Sequence, residues 1–337
     1  MLSFLILCTV SAVSAELTID TENYGSVGEA INAIPMDAGK VTLKLSKQEF
    51  RDSDRILNIP SDRNIKEIIL LPKDDSKTLS LPELERICAN GVPLTIGPGL
   101  NLENAGIFGG SCVSGTEAVL KTSDVTVEGS VGFLFGGGFA ENAGSSAVEE
   151  TSVTLKNTGL VYYEIFGGGH AYGEGSQVKS QRTSLSISGS ADYVLGGGFA
   201  EDGGTSVCEQ TDIIATENSS IPVALFTGGS ASGEGSLSTV ENAKAVLSGK
   251  ANWAFSGDFA FGGGQTCMER ATRLEILDGA ISEIAYMGSF ASDEGSEAFV
   301  NTSELMVCGT VSQIIRNGQS TDHGETRTMI PALFSCK

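Results

Sequence analysis

Phe135-Gly136-Gly137-Gly138-Phe139-Ala140-Glu141 and Phe166-Gly167-Gly168-Gly169-His170-Ala171-Tyr172 decide the fold, because their frame returns throughout the later part of the chain. A large apolar residue is followed two positions on by glycine and three further on by a small residue. The apolar position is filled by Ile107, Phe135, Phe166, Leu195, Phe226, Phe255, Tyr286 and Ile315. The small position is Cys112, Ala140, Ala171, Ala200, Ala231, Ala260, Ala291 and Ser320, with successive members 28, 31, 29, 31, 29, 31 and 29 residues apart. Midway between these markers, apolar residues alternate with their neighbours, as in Val125/Val127, Val153/Leu155, Leu185/Ile187, Leu274/Ile276 and Leu305/Val307. Period-two alternation marks a strand with one buried side. One such unit cannot cover its own apolar side, whereas stacked units can, so the repeat implies a solenoid.

The expected fold is all-β: a right-handed parallel β-helix with a short N-terminal capping helix. The large apolar residues are expected to pile up as ladders along its core, with Phe166 and Phe226 in one buried ladder. The alternation of 31 and 29 conceals a period of 60, seen in Gly173-Glu174-Gly175-Ser176, Gly233-Glu234-Gly235-Ser236 and Asp293-Glu294-Gly295-Ser296. Thirty residues suffice for a three-sided coil, so one unit per coil is expected.

Outward from the array, three regions follow. Met1–Ala15 has no charged side chain, carries the apolar run Leu2 to Leu7, and ends in Val13-Ser14-Ala15, the pattern of a signal peptide. Residues 16–100 hold most of the prolines and read as an N-terminal cap with the first coils; 101–337 is a solenoid of about eight units of 29–31 residues. Within the cap, Val27, Ala30, Ile31 and Ile34 are spaced as on a helix, with Ser26 as N-cap, Glu29 three residues on and Pro35 as terminator. Val41–Leu45 and Ile65–Leu71 read as strands.

No later segment approaches the ~20 apolar residues that span a bilayer. A secreted protein without a transmembrane segment is therefore expected. The formal charge of -21 opposes binding to nucleic acid. Six cysteines remain outside the leader; Cys308 and Cys336 lie 28 apart in neighbouring units and are the expected disulfide. Asn218-Ser219-Ser220 and Asn301-Thr302-Ser303 are glycosylation sequons, naming Asn218 and Asn301 as candidate glycan acceptors.

Ser26 to Pro35, Val41 to Leu45 and Glu49-Phe50-Arg51 together resemble the cap helix, first strand and turn of the pectin-lyase-like β-helix superfamily, pectinesterases in particular, over about fifty residues. Gln48 stands where that turn usually has glycine. The glycine-rich array is similar to the repeats of secreted, adhesin-like β-helix proteins. Ile187 to Gly196 resembles the pectinesterase segment with the nucleophilic aspartate, and the resemblance would make Asp192 that nucleophile. The family's Gln-Asp and Gly-Arg-x-Trp motifs are missing, and ester hydrolysis needs a second carboxyl and an oxyanion donor. Asp192 also falls at a position that varies among units, as Gly132, Tyr163, Val223, Asn252 and Glu283.

Other candidates recur with the repeat. Glu174, Glu234 and Glu294 could form an acidic ladder for calcium, although solvated loop acids are the better account of them. No other cofactor motif occurs. Phe139, Phe199 and Phe259 could be a sugar-stacking strip or a core ladder, and His170 replaces phenylalanine at the same place. The expected function is a non-catalytic extracellular binding, adhesive or structural role, with carbohydrate or a surface partner as ligand. The alternative is a carbohydrate-active esterase or lyase on acidic polysaccharide. An enzyme should gather charged side chains from adjacent coils in one groove.

Overall fold

The structure is a computed structural model that describes residues 16–47, 50–74 and 77–336. The expected leader Met1–Ala15 and the turn residues Gln48 and Glu49 lie outside them. The chain winds as a parallel β-solenoid with three faces. A long face stacks twelve strands, a middle face eleven, and a short face eight three-residue strands. The N-terminal end carries the helix Val27–Asn32, where Ser26 Oγ accepts from the Glu29 amide at 3.1 Å, as the capping pattern requires.

Each unit is one coil. On the long face Glu117 pairs with Ser145, Ser145 with Gln177 and Gln177 with Thr205, steps of 28, 32 and 28 residues. The 60-residue period arises at the corners. Turns of four residues (173–176, 233–236, 293–296) alternate with turns of three (142–144, 202–204, 262–264) between the short and long faces. The serine of each longer turn locks the pair, since Ser176, Ser236 and Ser296 Oγ accept from the amides of Ala143, Gly203 and Gly263. Cys308 and Cys336 are joined across one coil, with Cα atoms 4.9 Å apart. Cys208 and Cys267, two coils apart in sequence, are not bonded.

Inside, the channel is apolar where long and middle faces meet, with Val153, Leu155, Leu185, Ile187, Leu134 and Ile165 all buried. Toward the short face a ladder of hydroxyls replaces the apolar core. Thr151, Thr183 and Thr211 donate to the carbonyls of Gly167, Gly196 and Thr227 at 2.7–2.8 Å. The glycine corners exist for this close approach: a Cβ on Gly167 would sit 2.2 Å from the Gly196 carbonyl oxygen.

The large apolar ladder is buried, but not in the channel, which corrects the expectation that it lines the core. Strand residues alternate sides. Leu134, Ile165, Val194 and Leu225 point inward, so their neighbours Phe135, Phe166, Leu195 and Phe226 point outward. These form a second, external apolar layer in the concave angle between middle and short faces. The first unit is also shorter than its motif suggests: Cys112 pairs with Phe139, and Val113 takes the place of Ala140.

Candidate functional site

The concave angle is a groove, built by two strands and the glycine turn between them. Ser130–Phe135 on the middle face and Phe139–Glu141 on the short face show the arrangement in one coil. Across the angle, rings of the middle face meet rings of the short face in the next coil. Phe108 meets Phe139 at 5.5 Å between ring centroids, Phe166 meets Phe199 at 5.5 Å and Phe226 meets Phe259 at 5.4 Å. Along the axis the floor rings stack at nearly the strand spacing: Phe108–Phe135 4.6 Å, Phe135–Phe166 4.9 Å, Phe226–Phe255 4.5 Å and Phe255–Tyr286 4.2 Å.

The floor is buried, but the walls are open. Phe133, Tyr193 and Trp253 on one side, with Phe199, Phe259 and Phe290 on the other, are half-buried and keep ring surface toward solvent. Eleven of the chain's fifteen phenylalanines and its only tryptophan belong to this face. At Ser230 the short-face wall lacks a ring, and Phe261 adds one beside it: Tyr193 stacks with Phe259 at 6.4 Å and Phe199 with Phe261 at 6.2 Å, each spanning two coils.

Toward the N-terminal end the groove deepens to a cavity of about 350 Å³, and here polar groups interrupt the aromatic columns. Arg86 caps the wall, its guanidinium carbon 3.7 Å from the centre of the Phe139 ring. His170 stacks between Phe139 (5.2 Å, edge-on) and Phe199 (4.7 Å). Its Nε2 lies 3.0 Å from Glu201 Oε2, so Nε2–H donates to that carboxylate. Across the cavity stands Glu164, in the column held elsewhere by Phe133, Tyr193, Ala224 and Trp253. Burial pushes the Glu164 carboxyl up to about 7, and the nearby Glu201 charge adds to the shift. Burial likewise raises the Tyr193 hydroxyl, with Glu164 and Asp192 contributing. A carboxyl that holds a proton near neutrality, a second carboxylate oriented by a histidine, and flanking aromatic faces can bind a polyol or an amine and can exchange a proton with it.

A larger depression of about 540 Å³ lies at the N-terminal end, lined by Glu22, Lys73 and Pro72 among others. Of its three lysines, Lys73 is engaged with Asp20 at 3.1 Å and with Glu22, and Lys77 with Asp74 at 3.0 Å; among the described residues no aromatic side chain lines it.

The residues singled out by sequence scatter. Asp192 sits on the middle face where the strand pairing shifts register, half-buried, with no hydrogen bond or ion pair among the described residues. Glu174, Glu234 and Glu294 occupy alternate coils at the third corner, and among the described residues no three acidic, histidine or cysteine side chains converge as a metal cage. Asn218 is exposed on a corner turn, whereas Asn301 lies within a long-face strand with its amide donating to the Glu269 carbonyl at 3.0 Å. A second disulfide, Cys88–Cys112, ties the first coils to the groove and was missed because the first unit's register is displaced. Glu164 and Glu201 were missed too. The signal that finds Glu164 is an acid in a column held elsewhere by Phe133, Tyr193, Ala224 and Trp253; Glu201 shares its column with Glu141, Tyr172 and Ser232 and carries no such signal.

No protein-family model, curated protein or solved structure matches the chain. Among the described residues no helix is long and apolar enough to cross a membrane.

Proposed function

We propose that this protein is an exported, non-catalytic β-solenoid that binds a carbohydrate chain along its concave groove. The observation that carries the reading is the row of half-open rings on one outer face, with Phe133, Tyr193 and Trp253 on alternate strands of one wall and Phe199, Phe259 and Phe290 on the other. Stacked apolar ring faces flanked by carboxylates suit pyranose rings, which present an apolar face and a polar edge. The likeness of the N-terminal segment to pectin-lyase-like proteins supports the same reading, and two disulfides are compatible with an extracellular site. The test is electrophoresis through gels containing neutral, basic or acidic polysaccharides. Retardation is expected in at least one gel, and its loss in Phe199→Ala and Phe259→Ala. Unchanged mobility of the wild type in all of them would refute the groove as a glycan site.

A specific observation favours hydrolysis as a second reading. Glu164 and Glu201 share one cavity, and burial sets the first apart as the proton carrier, the division of labour that glycoside hydrolysis uses. Asp192 has no such partner. Release of reducing ends, abolished by both Glu164→Gln and Glu201→Gln, would establish this reading over simple binding.

A further inference from the structure

Resting on the groove as the glycan site, we infer that its deep N-terminal cavity takes an amino sugar, with the ammonium group held between Glu164 and Glu201 against the aromatic wall. The first observation is the isolation of Glu164. Its column neighbours Phe133, Tyr193, Ala224 and Trp253 are aromatic or apolar, and among the described residues its carboxylate has no hydrogen-bond or ion-pair partner. The side chain is half-buried and lines the cavity. An acid placed so is costly unless a partner arrives.

The second observation is which charges are already committed. Arg86 lies over Phe139 with Glu85 and Glu141 as its acidic neighbours. His170 is bonded to Glu201. His170 is therefore committed to Glu201 and Arg86 rests on the Phe139 ring, and the cavity's three carboxyls, Glu85, Glu164 and Glu201, outnumber these two basic groups. A uronate would meet that excess and a chain of net charge -21. A neutral sugar would stack on the rings but leave Glu164 unpaired. An ammonium group satisfies both features, because the faces of Phe133, Phe135 and Phe199 attract cations and the carboxylates complete the pair.

Proton linkage gives the inference a signature. The titratable groups that share the cavity with Glu164 or couple to it are Glu85, Arg86, His170, Tyr193 and Glu201. With its carboxyl raised to about 7 by burial, Glu164 is largely protonated in the empty cavity at pH 5.5. An ammonium group beside it favours the ionised form, so binding expels that proton.

The experiment is calorimetry at pH 5.5 in two buffers of different ionisation enthalpy, with tetraglucosamine, its fully N-acetylated counterpart and tetragalacturonate. Tetraglucosamine is expected to bind at least roughly tenfold more tightly than the acetylated tetramer, and the uronate most weakly. Proton release approaching about one per bound tetraglucosamine is expected in the wild type and close to none in Glu164→Gln. Thermal unfolding of the variant checks that it is folded; if it is not, Glu201→Gln takes its place and should lose the tenfold preference. Equal or tighter binding of the acetylated or uronate tetramer overturns the inference, as does proton release unchanged in Glu164→Gln. If none of the tetramers binds while a polysaccharide gel still retards the protein, the amino-sugar assignment falls and the groove stands. If no saccharide binds in either assay, both fall.

Discussion

Along the channel, Leu134, Ile165, Val194, Leu225 and Ala254 succeed one another in one column, every member aliphatic and buried. The residue immediately before each of them faces the groove, and that column reads Phe133, Glu164, Tyr193, Ala224 and Trp253. Both columns come from the same strands. The inward one repeats because each coil must bury its apolar side on the next. The outward one varies in charge, size and aromaticity, which stacking alone does not demand. Repetition within this chain marks what folds it, and departure from repetition marks the surface proposed to recognise a ligand.

The difference can be broken by mutation. The largest effect is expected from Phe255→Ala, because that ring is fully buried between Phe226 and Tyr286 in the groove floor. A loss of about 3–5 kcal/mol is expected, as for a large channel residue. It should be concentrated in adjacent coils, as hydrogen exchange would show. Phe199→Ala, on the half-open wall, should cost far less stability while removing glycan binding. Similar stability losses for the two would erase the distinction between floor and wall.

Next in size is Asp258, the acid placed where Gly138, Gly169 and Gly198 stand in other coils. It is buried; one oxygen accepts from the Gly229 amide at 3.1 Å and the other has no partner. Burial raises its carboxyl well above the ordinary range, so the folded protein holds a proton that the unfolded chain releases above about pH 3.9. Its contribution is therefore complete below that pH and is lost as pH rises toward the folded value. Asp258→Gly is expected to stabilise by about 1–3 kcal/mol at pH 7, with the gain shrinking toward pH 4. Melting curves of both proteins across that range decide it; a gain that grows toward low pH would contradict the sign.

The smallest effect is expected on the long face, where solvated pairs such as Arg182–Glu150, 3.5 Å apart, decorate the strands. Glu150→Gln should change stability by less than about 0.5 kcal/mol and leave glycan binding untouched. A measurable binding defect there would move the site off the groove.

Much of the channel was legible in sequence, because alternation at Val153/Leu155 or Leu185/Ile187 and the glycine frame are local signals of burial and turning. The capping helix and the Cys308–Cys336 bond followed from equally local spacing. The side on which Phe135 and Phe166 lie was not legible. It depends on the glycine corner bending the chain so that middle and short faces form a concave angle, which lets an outward residue be buried by its neighbours rather than by the core. Glu164 escaped notice for a related reason: the middle-face strands Leu160–Phe166 and Ser220–Phe226 carry an extra residue, which displaces the column against any fixed motif frame. His170 was visible as a substitution, but its partner Glu201 lies 31 residues on, in the next coil.

The most direct test of the central claim uses Trp253, the single tryptophan, which stands half-buried on the groove wall. Its fluorescence can be titrated with neutral, basic and acidic oligosaccharides and compared with the same titration of Phe259→Ala. A saturable change in emission with at least one class, weakened in the variant, is the expected result. Saccharide binding detected by calorimetry, with Trp253 emission unmoved and Phe259→Ala indistinguishable from wild type, would place the ligand elsewhere and contradict the account.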